Sequence, residues 1–584
     1  MTPRAGQMNP SAKGEMSLNA AFAALPSGAT RLVARYGIIP VVTFGLLQLA
    51  ALALMAWYEA SLYSMLVFVL TWGVLNFFWL VLLRRATIAA ALSLVMVITL
   101  ITFSEFKFGV LWIQVSFVDL MVIETDTAKY LLQIYPWLGW SVAAGAAVLL
   151  PLLLATWWFD PLRMRLRHAL VGFVGCFASL IAVASAVDLN DIEAYHGDSH
   201  VSYFARSGVK SVSELMTHGM LESEATLPER LKPAADTACN PSPKPPHIIL
   251  VHDESSFDIR SAPGIKVPPK YGEHFKSFDG KERFFLVEGV GGPSWYAEYS
   301  VMTGLSARSF GRFSYFVLGI ASGRVHRSLP NALRNCGYRT HTLFPALGAF
   351  MNSRSFQTNV GVQKFRDQSD LGANELEPDK FFYDKALGML ESERGQGPSF
   401  FYIYLVANHF PWYVRWRPDL MPQWQDLQNP PLVDEYLRRQ AMSEMDYNEF
   451  VAALKERFPG ESFLLVRYGD HQPDFSTRLL EPGLDRAAVA QRVMTFDPKY
   501  YTTYYAIDAI NFQPADVSSA VDTLDGPYLP LVILEAAGLP LDPSFVEQKK
   551  ILRRCNGIFY ACNGGAEARR FNRLLIDAGL IKQL

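Results

Sequence analysis

Five apolar runs crowd into the first third of this chain, and they constrain its fold more than any other feature. Four of them, Tyr36–Tyr58, Leu62–Leu83, Leu132–Trp158 and Leu166–Val187, reach the roughly 20 apolar residues that cross a bilayer as a helix. The fifth, Thr87–Phe103, is shorter and carries no charge. Several spans follow the first one, so a cleavable signal peptide does not fit.

Charges at the ends of these runs set an orientation. Arg31 and Arg35 precede the first, Arg84 and Arg85 separate the second and third, and Arg163, Arg165 and Arg167 separate the last two. The positive-inside rule makes all three clusters cytoplasmic. An odd number of crossings then places everything after about Asp188 outside. Within Glu105–Lys129 the stretch "FKFGVLWIQVSFVDLMVI" is apolar but broken by Lys107 and Asp119. It is expected to lie along the membrane as an interfacial helix. Cys239, Cys336, Cys555 and Cys562 fall in the outer part, where an oxidising compartment permits disulfides. Four cysteines allow three pairings, and Cys555 and Cys562 are near enough to close a small loop. A net charge of −2 gives no basic field for nucleic acid.

The expected organisation is a cytoplasmic tail over 1–30, a five-span domain over 31–187 and a juxtamembrane linker over 188–246 that ends in "CNPSPKPP". An outer domain over 247–540 and a C-terminal extension over 541–584 follow. In the outer domain "HIILVHDE", "RTHTLFPA", "SFFYIYLVANH" and "ESFLLVRYGDH" read as strands alternating with helical patterns. That alternation predicts an α/β domain with a largely parallel central sheet. Three of these strands end in a residue that can bind metal or accept a proton, delivering Glu254, His409 and the pair Asp470–His471. Ligands bind beyond the carboxyl ends of strands in open α/β sheets, so one rim should collect them.

Two carboxylates and an imidazole suit Mn, Mg or Zn without selecting one. Ser294, in "GVGGPSWYAEYSVMTGL", could add its hydroxyl to the same ion and become nucleophilic near neutral pH. Pro293 before it fits a chain entering a helix, whose N-terminus favours an anion. Taken alone, Ser294 reads as an ordinary N-cap with Glu298 as a first-turn acid. The joint occurrence at strand ends shifts the balance toward a site. "NHFPWYVRWRPDL" offers Trp412 and Trp416 either as platforms for sugar faces or as residues at head-group level.

These motifs, in order from His247 to about Pro473, resemble the membrane-anchored lipoteichoic acid synthase and phosphoglycerol transferase group of the alkaline phosphatase/sulfatase superfamily. "HIILVHDES" is similar to that group's first strand, implying Glu254 as a metal ligand. "GGPSWYAE" is similar to its nucleophile motif, with serine in place of the usual threonine, implying Ser294. "NHFPW" implies a phosphate contact by His409, and "YGDHQP" implies Asp470 and His471 as the late metal pair. "GAFMNSRSFQTNVGVQKF" is similar to a segment carrying a substrate-binding arginine, which maps to Arg354. The Cys-x-Pro-x-Arg motif of true sulfatases is absent around Ser294.

The resemblance implies a five-span helical membrane domain followed by a sulfatase-like domain outside the bacterial cytoplasmic membrane. It implies one divalent metal, manganese ahead of magnesium or zinc. The expected activity is transfer of a phosphoglycerol head group from phosphatidylglycerol to an envelope or periplasmic glycan through Ser294. His409, Arg354 and Trp412 would bind substrate. The alternatives are a phosphoethanolamine transferase, a phosphodiesterase of the same superfamily, and a glycan-binding membrane scaffold without catalysis.

Overall fold

The computed structural model describes residues 33–111, 113–121, 131–132, 135–187, 189, 193, 197–231, 239, 244–373 and 376–582. The tail over 1–30 and Arg31 lie outside them, as do residues 232–238 and 240–243 of the linker. The chain divides into two compact units, residues 1–116 with 139–210, and 117–138 with 211–584.

Among the described residues, five helices are long and apolar enough to cross a membrane: Ile38–Tyr58, Leu62–Leu83, Ala86–Leu111, Pro136–Phe159 and Leu166–Ala186. Helices satisfy every backbone polar group within the segment, which hydrocarbon demands. Small residues let them approach. A Cβ on Gly172 would stand 2.4 Å from the Phe77 ring, and one on Gly73 would stand 2.7 Å from Cys176 Sγ. Buried Asp160 accepts hydrogen bonds from the Thr87 and Ile88 amides at 2.8 and 3.1 Å, so a distant carboxylate satisfies the start of the third helix. That helix runs through Glu105 and Lys107 to Leu111. The expected interfacial helix therefore loses its first residues to the span; its described remainder is a short helix, Phe117–Met121, and residues 122–130 lie outside the described residues.

The second unit is built on an eight-stranded sheet: β1 (His247–Asp253), β2 (Phe284–Leu286), β3 (Arg339–Leu343), β4 (Lys364–Arg366), β5 (Ser399–Tyr404), β6 (Phe463–Gly469), β7 (Thr502–Ile510) and β8 (Thr523–Asp525), in the spatial order β4-β3-β5-β1-β6-β7-β2-β8. Strands β4, β3, β5, β1 and β6 pair parallel, whereas β7 runs antiparallel to both β6 and β2. The apolar runs in β1, β5 and β6 are buried almost throughout, as strands covered on both faces should be. One face packs Ile248, Leu250, Phe400 and Leu464 with helices Ser294–Thr303 and Leu529–Ala536; the other packs Ile249, Val251, Phe401 and Leu465 with helices Asp379–Ser392 and Pro431–Arg457.

The boundary expected at 540/541 has no counterpart in the packing. Phe545, Ile551, Phe559 and Phe571 are buried in the same core as β1 and β6, because helices Pro543–Cys555 and Ala566–Asp577 present apolar stripes to it. Cys239 pairs with Cys336 and Cys555 with Cys562, so the short loop read from the sequence is the one that closes.

Candidate active site

β1 and β6 lie side by side and deliver Glu254 and Asp470–His471 from their carboxyl ends. Two backbone features make the delivery possible. A Cβ on Gly469 would fall 1.8 Å from the Ser256 carbonyl oxygen, so only glycine lets the two strand ends cross this closely. Ser255 sits in the left-handed region at φ 51, an unfavourable conformation for a non-glycine residue. Its amide donates to Asp470 Oδ1 at 2.7 Å and its hydroxyl to Glu254 Oε1 at 2.8 Å, which offsets that strain and ties the strand ends together.

Ser294 is the first residue of helix Ser294–Thr303, with Pro293 in the cap position. Its hydroxyl does not cap the helix, so the N-cap reading fails. The oxygen points instead at Glu254 Oε2, 3.5 Å away. Gly291, at φ 70, brings the preceding turn within 3.2 Å of the Asp474 backbone, measured from where a Cβ would be; this places the helix start against the loop after β6. Glu298 turns away from the site. It accepts from Gln357 Nε2 at 2.8 Å and Ser353 Oγ at 3.2 Å, and burial pushes its carboxyl up to about 7.

The cluster around Glu254 carries an imbalance. His471 Nδ1 lies 2.8 Å from the Gln472 carbonyl oxygen, so that nitrogen carries the proton and Nε2 presents a lone pair. This lone pair faces Glu254 Oε1 at 3.5 Å and Asp470 Oδ2 at 3.4 Å. His252 Nε2 is 3.0 Å from Asp470 Oδ2. Apart from that His252–Asp470 contact, His252 Nε2, Asp470 Oδ2 and His471 Nε2 are buried with no further hydrogen-bond partner among the described residues. Burial and the neighbouring Asp470 charge push Glu254 well above the usual carboxylate range. Electron-rich atoms converging in a dry site are what a divalent cation would satisfy. Oxygen and imidazole donors fit Mn, Mg or Zn, so these residues fit the metal that the sequence implies.

His252 is the residue sequence reasoning missed. It shares a face of β1 with Glu254, and its ligand atom lies within 4.8 Å of those of Glu254 and Asp470. Its Nδ1 is 2.8 Å from the Tyr402 hydroxyl and 2.7 Å from that of Tyr468. The period of two in a strand was the available signal: two residues before Glu254 means the same side.

His409 follows β5. Its Nδ1 lies 2.9 Å from the Phe410 carbonyl oxygen, and burial holds the imidazole down to about 4. It is therefore neutral at neutral pH, with Nε2 able to accept a proton. Two groups fix its loop. Arg439 donates to the carbonyls of His409, Pro411 and Val414 at 2.6, 2.8 and 3.0 Å, and Asp379 accepts from the Ala407 amide at 3.1 Å.

Two expected substrate contacts are placed differently. Arg354 pairs with Asp367 at 2.7 Å and Asp370 at 2.6 Å and lies over the Phe365 ring. These partners satisfy its guanidinium, and the structure does not join it to the Glu254 cluster. Trp412 is buried rather than displayed. Its ring packs edge-on against Phe475 at 5.0 Å and Tyr436 at 6.1 Å, and its Nε1 donates to Asn408 Oδ1. A ring enclosed this way cannot stack on a sugar; Phe410 and Tyr413 are the exposed aromatics of that loop.

Residues 292–500 match the sulfatase family model, a stretch that contains Ser294, His409, Asp470 and His471 and begins after Glu254. No curated protein matches the chain. Among solved structures, the lipoteichoic acid synthase LtaP from Listeria monocytogenes is similar at 19% identity, covering 51% of this chain and 74% of that one with a TM-score of 0.39. The Streptococcus pyogenes phosphoglycerol transferase GacH, solved with sn-glycerol-1-phosphate, is similar at 15%, covering 59% and 89% with a TM-score of 0.45. The integral membrane lipooligosaccharide phosphoethanolamine transferase EptA from Neisseria meningitidis is similar at 11%, covering 82% and 96% with a TM-score of 0.46. The part of this chain that is similar to the sulfatase family model thus follows five apolar helices and spans the helix that begins at Ser294 and the end of β6 in a largely parallel sheet.

Proposed function

We propose that the protein is a membrane-anchored phosphotransferase that moves a phosphoglycerol head group from phosphatidylglycerol to a glycan outside the cytoplasm, by way of Ser294. One observation carries the reading: a buried serine hydroxyl at a helix N-terminus lies 3.5 Å from a carboxylate whose neighbours converge without further partners among the described residues.

Glu254, Asp470, His471 and Ser294 would hold one divalent ion, with His252 as a further donor. A bound ion supplies Lewis-acid charge, lowering the pKa of a hydroxyl and neutralising phosphoryl oxygens. Ser294 Oγ forms the bond to phosphorus while the bond to diacylglycerol breaks, leaving phosphoglyceryl-serine. The glycan hydroxyl then attacks the same phosphorus and Ser294 leaves. Two in-line displacements give net retention. The Ser294 proton passes to solvent and the diacylglycerol oxygen leaves with one taken from solvent; in the second displacement His409, neutral with a bare Nε2, accepts the proton of the glycan hydroxyl while Ser294 Oγ departs and is reprotonated. His409 cannot donate first. Two disulfides in the second unit and arginines at the alternate ends of the spans support an extracytoplasmic domain. A donor confined to the bilayer gains effective concentration from an anchored enzyme.

The test incubates the detergent-solubilised protein with phosphatidylglycerol and Mn, without acceptor, and seeks glycerophosphate on Ser294 by peptide mass spectrometry. An adduct absent from Ser294→Ala is expected. An adduct from phosphatidylethanolamine instead would assign the other head group. None from either lipid, with no metal bound, would leave the scaffold.

A further inference from the structure

The loop after β5 displays apolar side chains that neither the core nor the proposed reaction uses. Phe410 and Val414 are 49% exposed and Tyr413 is 84% exposed. Among the described residues of the second unit, no other five-residue stretch exposes three large hydrophobic side chains. Their backbone is clamped. Arg439 gathers the carbonyls of His409, Pro411 and Val414 onto one guanidinium, and Arg438 donates to the Trp416 carbonyl. Glu435 accepts from the Trp416 amide at 3.1 Å and ties both arginines together, at 2.7 Å to Arg439 Nε and 2.9 Å to Arg438 Nε. All three belong to helix Pro431–Arg457. A turn fastened in this way presents its side chains outward already ordered, which lowers the entropic cost of docking them.

The polar groups around the turn decide what covers it. A platform for sugars needs side chains free to reach the hydroxyls at the ring edge. Here Arg415 pairs with Asp426 at 2.7 Å and Glu435 at 3.2 Å, Arg417 pairs with Asp419 at 2.8 Å, and the Trp416 ring lies under the Arg439 guanidinium at 5.6 Å. The displayed surface is then apolar, with one phenol at its tip, a composition that suits the boundary between lipid and water. Five apolar helices on the same chain keep a bilayer at high effective concentration. We propose that Phe410, Tyr413 and Val414 form a second membrane contact, entering the head-group region of the bilayer and holding the His409 loop there. The His409 imidazole lies against the Phe410 ring, with centroids 4.2 Å apart, so seating the tip brings that histidine to the depth of the lipid phosphates. The inference adds to the function proposed above and can be read without turnover.

The test uses the full-length protein in nanodiscs of phosphatidylcholine and phosphatidylglycerol. The environment-sensitive dye NBD is placed at Tyr413→Cys and, as a control, at Glu456→Cys, which is exposed near the other end of helix Pro431–Arg457. The parent protein labelled alike gives the background from its free cysteine, Cys176. Lipids carrying a nitroxide high on the acyl chain should quench the dye at 413 at least about twofold more than at 456. Equal quenching at the two positions would overturn the inference. The second readout is formation of the Ser294 adduct from phosphatidylglycerol in the nanodisc and from a short-chain, water-soluble phosphatidylglycerol. The double variant Tyr413→Ser/Val414→Ser should slow the first about tenfold and the second less than about twofold, whereas Tyr413→Trp should stay within about threefold of wild type on both. Equal slowing on both donors would put the tip inside the reaction site, and no slowing on either would make it idle; each overturns the inference. Wild type that forms no adduct from either donor would remove the proposed function and leave the quenching to decide this one.

Discussion

Adjacent acids at the end of β1, Asp253 and Glu254, are buried equally deeply and live in opposite surroundings. Asp253 faces one side of the sheet, where His274 Nε2 lies at 3.1 Å and the Tyr504 hydroxyl donates to it. Although burial opposes its charge, these partners and nearby Arg467 hold it below the usual carboxylate range. Glu254 faces the other side, among Asp470 and bare imidazole nitrogens, and its carboxyl is pushed far up. Burial alone therefore does not set the state of either carboxylate. The difference lies in whether the protein itself supplies the countercharge. Asp253 has an imidazole and a guanidinium beside it, whereas the charge that acts most on Glu254 is another carboxylate, Asp470.

The contrast can be broken most severely at Glu254. Glu254→Gln should abolish Mn binding and slow Ser294 adduct formation by about 10³-fold or more, on the order of 4 kcal/mol, while unfolding of the metal-free protein changes little. Metal content and adduct mass check this. A large loss of metal-free stability would mean Glu254 is structural after all. Asp253→Ala should do the reverse. Removing one member of a buried charged network costs about 3–5 kcal/mol, so the denaturation midpoint should fall while Mn stoichiometry holds.

Glu298 sharpens the comparison, because it has hydrogen bonds but no cation. Burial pushes its carboxyl up to about 7, from an ordinary 4.5. Stability from the protonated form is thus fully present below about 4.5 and lost as pH rises through about 7, amounting to at most about 3 kcal/mol. Glu298→Gln should flatten the melting temperature against pH across that window; equal slopes in the two proteins would refute it. The smallest effect concerns the metal itself. Mn at 100 times its dissociation constant should stabilise wild type by about 2.7 kcal/mol, and Glu254→Gln not at all.

The sequence made part of this legible because strands announce their ends. An apolar run that stops in an acid or a histidine marks a residue at the sheet's carboxyl edge, so Glu254, Asp470, His471 and the loop of His409 could be read locally. The five spans were readable for a similar reason, since length and apolarity act within one segment. His252 was hidden inside an apolar run, where a polar residue passes for core until the face it shares with Glu254 is known. The surroundings of Arg354 and Trp412 were hidden for a different reason. Their partners, Asp367 and Asp370 for one, Phe475 and Tyr436 for the other, are tertiary neighbours that no local pattern shows. The C-terminal helices looked appended because chain order does not reveal that Phe545 and Phe571 share a core with β1.

The bridge from Cys239 to Cys336 has a mechanical meaning. Cys239 stands just before β1, and Cys336 closes the helix that leads into β3, 97 residues later. Tension arriving along the polypeptide from the side of the spans meets a covalent junction before it meets β1. The load is diverted into the body of the domain, and the hydrogen bonds of the strand that carries His252 and Glu254 are not asked to bear it.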